Sequence, residues 1–397
     1  MFLMEKTGSE FFWRHFFIWK ITMLSLAIFP VKLSAEISAT PSALSPGDAE
    51  RLVNKLPSYT AFGYSGLAFY GKNLYASSGI GLMEFAVGSL KYLYQWNKFD
   101  ADAEGPWVNL ADKQLWVWLA GNDLLAGFDG KSWRVLPIPQ PKKGYVSRGD
   151  ILEGYHGVSN INTFWLTGGG SAWPWDSINQ KWKDSLALPS FKSGTRSGSL
   201  QRLFLLGNEP FVVARYEPGW AILGRDHDKN LTGDTIHYFE DSWKDVTNNC
   251  GGLFFAEQVV TVEGKGYIRT VDGELLEVTK DAIVQLRTLG KCEALATTSS
   301  GTLLACFHNV GVYEFKKDWE LRFKTPYPAN EGEHWVHLAE GDGQIALSVS
   351  PVPQLVAGKN ISDYKTVYNS SAALWIFDGQ KLENILFPNN KLHETHP

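Results

Sequence analysis

Apolar and polar residues alternate with a period of two over most of the chain, in short runs separated by Gly, Asn, Asp and Ser turns. Successive side chains of a strand point to opposite sides, so this pattern predicts many short strands. Helical periodicity is confined to one place, where Ser45-Pro46 offers a cap and a first-turn proline for a short helix reaching about Leu56. Residues 36–44, rich in Ser, Ala, Thr and Pro, read as a linker leading into it.

The strand pattern repeats. Each unit has an apolar strand, a turn, a second strand ending in Gly, Ser or Thr, a third ending in an aromatic, a polar turn and a short fourth strand. The clearest copy is Leu115-Trp116-Val117-Trp118 followed by Leu124-Leu125-Ala126-Gly127-Phe128-Asp129-Gly130-Lys131-Ser132-Trp133. Six others align with it, and the third-strand anchors of the seven are Phe85, Phe128, Trp175, Phe239, Val278, Phe315 and Phe377. These stand 43, 47, 64, 39, 37 and 62 residues apart. Propeller repeats run at about 40–50 residues, so two intervals carry insertions, Tyr216 to Thr235 in the fourth copy and Val352 to Ser371 in the seventh. A sheet with two apolar faces buries both only between like neighbours. Seven such units therefore predict an all-β fold, a seven-bladed β-propeller of four-stranded antiparallel blades over residues 61–390, with 391–397 as a tail. A β-sandwich would not require the recurring unit.

Two strings, Lys113-Gln114-Leu115-Trp116-Val117 and Gly311-Val312-Tyr313-Glu314-Phe315, resemble the sensor-propeller repeats of bacterial two-component regulators. The third copy, with Gly168-Gly169, Trp175-Asp176, Lys181-Trp182 and Leu188-Pro189, resembles a kelch repeat. The resemblance covers most of residues 64–386 and implies a fold, not an activity. The chain departs from the regulators after residue 387, where nothing is long enough for a membrane span or a kinase domain.

Composition adds location and excludes some partners. Arg14 and Lys20 precede an apolar run, Ile21 to Val31, and Leu33-Ser34-Ala35 follows. Residues 1–35 thus resemble a secretory signal, too short to span a bilayer comfortably, with an uncleaved N-terminal anchor as the other reading. The expected location is periplasmic or secreted. The net charge of -5 and the lack of a long Lys or Arg run argue against a nucleic-acid partner. Most of the 16 tryptophans, including Trp116, Trp133, Trp165, Trp182, Trp243 and Trp319, recur at blade positions and are expected to pack. Cys306 sits in an apolar strand and reads as core. Cys250 and Cys292 fall in turn-like segments, and an oxidising compartment would let them bond.

In a propeller, the second-to-third strand connection and the blade-to-blade connection share one face. Both insertions fall there, as do Asp150, His156, Glu333 and His334, so that face, with Asp226 and Asp228, is the expected seat of a protein, peptide or glycan ligand. Asp226-His227-Asp228-Lys229-Asn230 places oxygen ligands at alternate positions, which makes Asp226, Asp228, Asn230 and Asp234 a candidate calcium set and calcium the one cofactor considered. Leu231 in place of Gly, and no closing Glu, leave an ordinary polar turn as the competing reading. Glu333, His334 and His337 are close in sequence, but strand alternation would separate their side chains. No nucleophile elbow, phosphate loop or dinucleotide fingerprint occurs in a suitable context. The leading expectation is an exported, non-catalytic binding or scaffold protein. The alternative is a propeller hydrolase or lyase with carboxylate or metal chemistry at the channel mouth.

Overall fold

The computed structural model describes residues 40–48, 51, 66–78, 81–96, 102–109, 112–120, 124–139, 156–159, 163–168, 170–189, 201–214, 234–246, 254, 256–326, 334–351, 354–357, 364–367 and 373–385. The chain folds as a seven-bladed β-propeller whose antiparallel blades are built on four strands, with a fifth added to the first and third. All seven repeat copies fall on second and third strands: Leu115–Trp118 within Gln114–Ala120, for example, pairs with Leu124–Phe128. The innermost strands, from Leu67–Tyr70 in the first blade to His334–Gly341 in the seventh, each touch the next, and the seventh touches the first. That contact closes the ring.

Closure uses packing rather than a shared strand. The four strands of the seventh blade all come from residues 334–384. The seam to the first blade is apolar: Leu74, Ala76, Met83, Phe85 and Leu93 pack against Ala346, Leu374 and Ile376. Seven separate buried clusters occupy the seven inter-blade seams, so each blade buries both faces against neighbours. Trp116 is fully buried, and Trp133, Trp165, Trp182, Trp243 and Trp319 pack against these clusters as partly buried side chains. Cys306 is a buried core residue of the sixth-to-seventh seam.

The turns between third and fourth strands reuse one device. Asp129 Oδ1 accepts the N–H groups of Lys131 and Ser132, both at 2.8 Å. Asp378 Oδ1 accepts those of Gln380 and Lys381 at 2.8 and 2.7 Å. These backbone donors hold both carboxyls below their usual range. A short polar side chain thereby supplies the partners that a tight turn would otherwise leave to water.

The N-terminal expectation needs one correction. Within the supposed linker, Ser42–Leu44 forms a strand that pairs antiparallel with Ser89–Gln95, so the first blade has five strands. Ala43 opposite Tyr94 and Leu44 opposite Leu93 give it an apolar partner row, which outweighs the Ser/Pro composition. Residues 46–48 and 51 are helical, and the Asp48 N–H donates to Ser45 Oγ at 3.4 Å as an N-cap requires. The proposed signal segment and the C-terminal tail lie outside the described residues.

Candidate functional site

The strand order gathers both insertions on one face. Both insertions emerge from second-to-third strand connections, between Ala214 and Thr235 in the fourth blade and between Pro351 and Ala373 in the seventh. The seventh-blade insertion folds into its own antiparallel hairpin, Gln354–Ala357 with Tyr364–Val367, which does not join the blade sheet. Innermost strands begin on this same face and second strands end there.

At the mouth of the channel on this face, two innermost strands carry a β-bulge at their start. Register shifts between Ala256 and Gln258 in the fifth blade, and between Cys292 and Ala294 in the sixth. The extra residue is a glutamate each time, Glu257 and Glu293. A bulge leaves that residue out of the ladder and re-aims its side chain. Each glutamate meets a basic residue from the end of its own blade's second strand: Arg269 Nη1 stands 2.6 Å from Glu257 Oε2, and His308 Nδ1 stands 2.6 Å from Glu293 Oε1.

On the neighbouring seventh blade, His337 lies on the innermost strand, opposite Ser348. Its ring is partly buried and its Nε2 is shielded from solvent with no partner among the described residues. Burial pushes its pKa down to about 4, Arg269 adds to the shift, and Glu257 opposes it. The imidazole is therefore neutral at pH 7. The same Arg269, Glu293 and Glu257 act on the Cys292 thiol, which burial pushes up to about 12. Arg269 and Glu257 thus lie within electrostatic reach of both the imidazole and the thiol.

The residues anticipated from sequence fare unevenly. His156 and His334 each open an innermost strand, in the third and seventh blades, and so stand on the insertion-bearing face by backbone position. Asp150, Asp226, Asp228, Asn230 and Glu333 lie outside the described residues. Asp234, the fourth member of the calcium set, is 3% exposed and used structurally. Its Oδ2 accepts the Ala256 N–H at 2.5 Å and its own N–H donates to the Phe254 carbonyl at 2.8 Å, which clasps the fourth blade to the fifth. Among the described residues, no group of three or more His, Cys, Asp or Glu could hold a metal ion. The expected Cys250–Cys292 bridge does not appear at its described end. Cys292 is a free, fully buried thiol whose Sγ donates to the Ala294 carbonyl at 3.6 Å, while Cys250 lies outside the described residues.

Sequence reading missed Glu257, Arg269, Glu293 and His308. One signal was present: Ala256-Glu257-Gln258 and Cys292-Glu293-Ala294 both place a carboxylate one residue into an apolar innermost strand, where alternation predicts a buried side chain. The bulges that resolve this conflict depend on pairing and could not be read from one strand alone.

No family model matches the chain. No curated protein matches it in sequence either. Among solved structures, it is similar to selenomethionine-substituted virginiamycin B lyase from Staphylococcus aureus, with a TM-score of 0.50 and 10% identity over 77% of this chain and 94% of that one. The extracellular domain of a putative one-component system from B. thetaiotaomicron gives a TM-score of 0.45 and 11% identity, over 81% of this chain and 44% of that one. Apo AztD from Citrobacter koseri gives 0.41 and 9%, over 75% and 91%. Identities this low make the likeness one of fold, and the fold shared is the β-propeller.

Proposed function

We propose that this is an exported, non-catalytic binding propeller that acts in the periplasm or outside the cell and recognises its ligand on the insertion-bearing face. The observation that carries this reading is the coincidence of three features on one side of a rigid ring. Both long second-to-third strand connections are there, one of them forming a hairpin, together with the paired charges at the channel mouth. Loops on a rigid scaffold are where binding surfaces are commonly built. Secretion rests on the Arg14 to Ala35 pattern, and no described helix is long and apolar enough to cross a membrane.

The test replaces residues 352–371 with a Gly/Ser linker of equal length and compares capture of extracytoplasmic ligands by the two proteins. A ligand retained by the native protein and lost by the variant supports the reading. Equal capture by both rejects it. Turnover of the captured ligand, abolished by His337→Ala, would instead establish the hydrolase or lyase alternative.

A further inference from the structure

The first and last described strands meet at one seam. The ring closes between the seventh and first blades by side-chain packing, and Leu44, Leu90 and Ile385 are among the partly buried residues packed on that apolar cluster. Leu44 comes from the N-terminal strand Ser42–Leu44, and Leu90 from the fourth strand of the first blade, Ser89–Gln95. Ile385 directly follows the last strand of the seventh blade, Leu382–Asn384. Its N–H donates to the Leu374 carbonyl at 2.9 Å, and a Cβ on Gly88 would lie 3.5 Å from its Cγ2. The turn before Leu90 and the end of the seventh blade therefore approach each other, with Leu44 packed on the same cluster. Among the described residues, no other seam is covered by a strand from outside the blade repeat.

That strand is lightly held. It is three residues long, Ser42 and Ala43 are exposed, and Leu44 is half-buried. It pairs with Leu93, Tyr94 and Gln95 and leaves the rest of the edge strand Ser89–Gln95 uncovered. Pro41, which is buried, and Pro46 bracket it, and neither has an N–H to extend the ladder. Short elements with few apolar contacts open locally, without unfolding the rest of a domain. We infer that Ser42–Leu44 is a releasable clasp over the seam that closes the ring, and that the edge it covers is a binding site for an extended strand of this pattern. In place, the clasp extends the first blade's sheet and sets Leu44 on the cluster shared with the seventh blade. Released, it bares the backbone groups of Leu93, Tyr94 and Gln95 and takes one apolar side chain off the closing seam, while the other six seams keep their packing. The seventh blade carries the hairpin of Gln354–Ala357 with Tyr364–Val367, so looseness at this seam reaches the insertion-bearing face. The clasp stands whether or not that face binds a ligand.

The experiment is hydrogen exchange, read segment by segment, on the exported protein, on Leu44→Asp and on a form lacking residues 36–45. Both variants should exchange about tenfold faster in Asn73–Ser78, Gly81–Ala86, Gln344–Pro351 and Ala373–Phe377. Gln114–Ala120 and Phe164–Gly168, beside the seam between the second and third blades, should change by less than about twofold. A synthetic peptide of residues 40–48 at about 1 mM, the effective concentration of a tethered segment, should restore protection to the shortened protein. The same peptide carrying Leu44→Asp should not. The inference is overturned if both variants exchange as the native protein does, if exchange rises equally in all blades, or if the peptide restores nothing. A shortened protein that no longer folds would also overturn it, because the strand would then be a fixed part of the first blade.

Discussion

The second and third blades meet through several tryptophans, the fifth and sixth through phenylalanine, tyrosine and one tryptophan mixed with aliphatic residues. Between the second and third blades, Trp116 stacks within 10° of parallel on Phe164 and meets Trp175 edge-on at 5.2 Å. Trp175 in turn meets Trp182 at 4.8 Å, and the Arg134 guanidinium lies 5.0 Å from the ring centre of Trp116 and 5.1 Å from that of Trp175. Room for these rings comes from glycine. A Cβ on Gly127 would lie 2.5 Å from Trp116, and one on Gly157 would lie 2.5 Å from Trp107.

Between the fifth and sixth blades, Leu275, Leu295, Leu303, Ala305 and Cys292 pack with Tyr267, Phe307, Tyr313, Phe315 and Trp319, and Phe307 meets Trp319 edge-on at 4.9 Å. Third-strand carboxylates mark these two blades and the first. Glu277 accepts from Lys265 and Tyr267, and Glu314 accepts from Thr302 and Arg322. Glu84 does the same with Asn73 and Lys91 in the first blade. At the corresponding position the second blade has Gly127, with the Trp116 ring filling the space. One architectural demand, filling a wedge between blades, is thus met in two ways. Where the third strand has Gly127 the Trp116 ring fills the space, and where it has Glu277 or Glu314 the carboxylate ties neighbouring strands together.

The largest effect should come from removing the aromatic wedge. Trp116→Ala is expected to destabilise by about 3–5 kcal/mol in urea unfolding, the usual cost of emptying a large buried site. Gly127→Val should cost about 1–3 kcal/mol by overpacking, and Trp116→Leu should rescue part of it, because the two sites share one volume. Additive losses in the double variant would break the comparison.

The charged region should respond less to truncation and more to pH. Glu314 is 6% exposed and gathers Thr302 Oγ1 at 2.6 Å and Arg322 Nη1 at 3.1 Å. Glu314→Ala should cost about 1–3 kcal/mol, moderated because Arg322 still reaches water. For His337, the folded pKa of about 4 lies below the ordinary 6.5. The unfolded chain therefore takes up the proton first as pH falls, so the contribution is intact above pH 6.5 and lost between about 6.5 and 4. Urea midpoints should show a loss of about 2–3 kcal/mol across that window, and His337→Gln should remove it. A slope unchanged by the substitution would assign the titration to another group.

The smallest effect concerns Cys292. With its thiol pushed up to about 12, alkylation in the native protein at mild alkaline pH should be roughly a hundredfold slower than in the unfolded chain. A Cys250–Cys292 linked peptide in a non-reducing digest would contradict the free thiol.

Much of this fold was legible because the blade unit is local. A strand, a turn and an aromatic lie within a few residues of one another, so repetition exposes them even where individual copies drift. Asp129 and Asp378 show the same legibility at turn level, since their partners are two and three residues away. The strand at Ser42–Leu44 was hidden because its pairing partner lies some fifty residues on, and its own composition argues for a loop. The tryptophan wedge was half visible: the rings could be assigned to packing, but not the glycines that admit them.

The alternation of apolar positions and their sevenfold recurrence determined on their own that this chain makes blades and closes a ring, since an open row would leave an apolar face bare at each end. Tertiary structure alone decided which charges meet. Glu257, Arg269, Glu293, His308 and His337 come from three blades and are joined only by bulges and by curvature around the axis. Those depend on how strands pair and how neighbouring sheets stack, which no single stretch of sequence encodes.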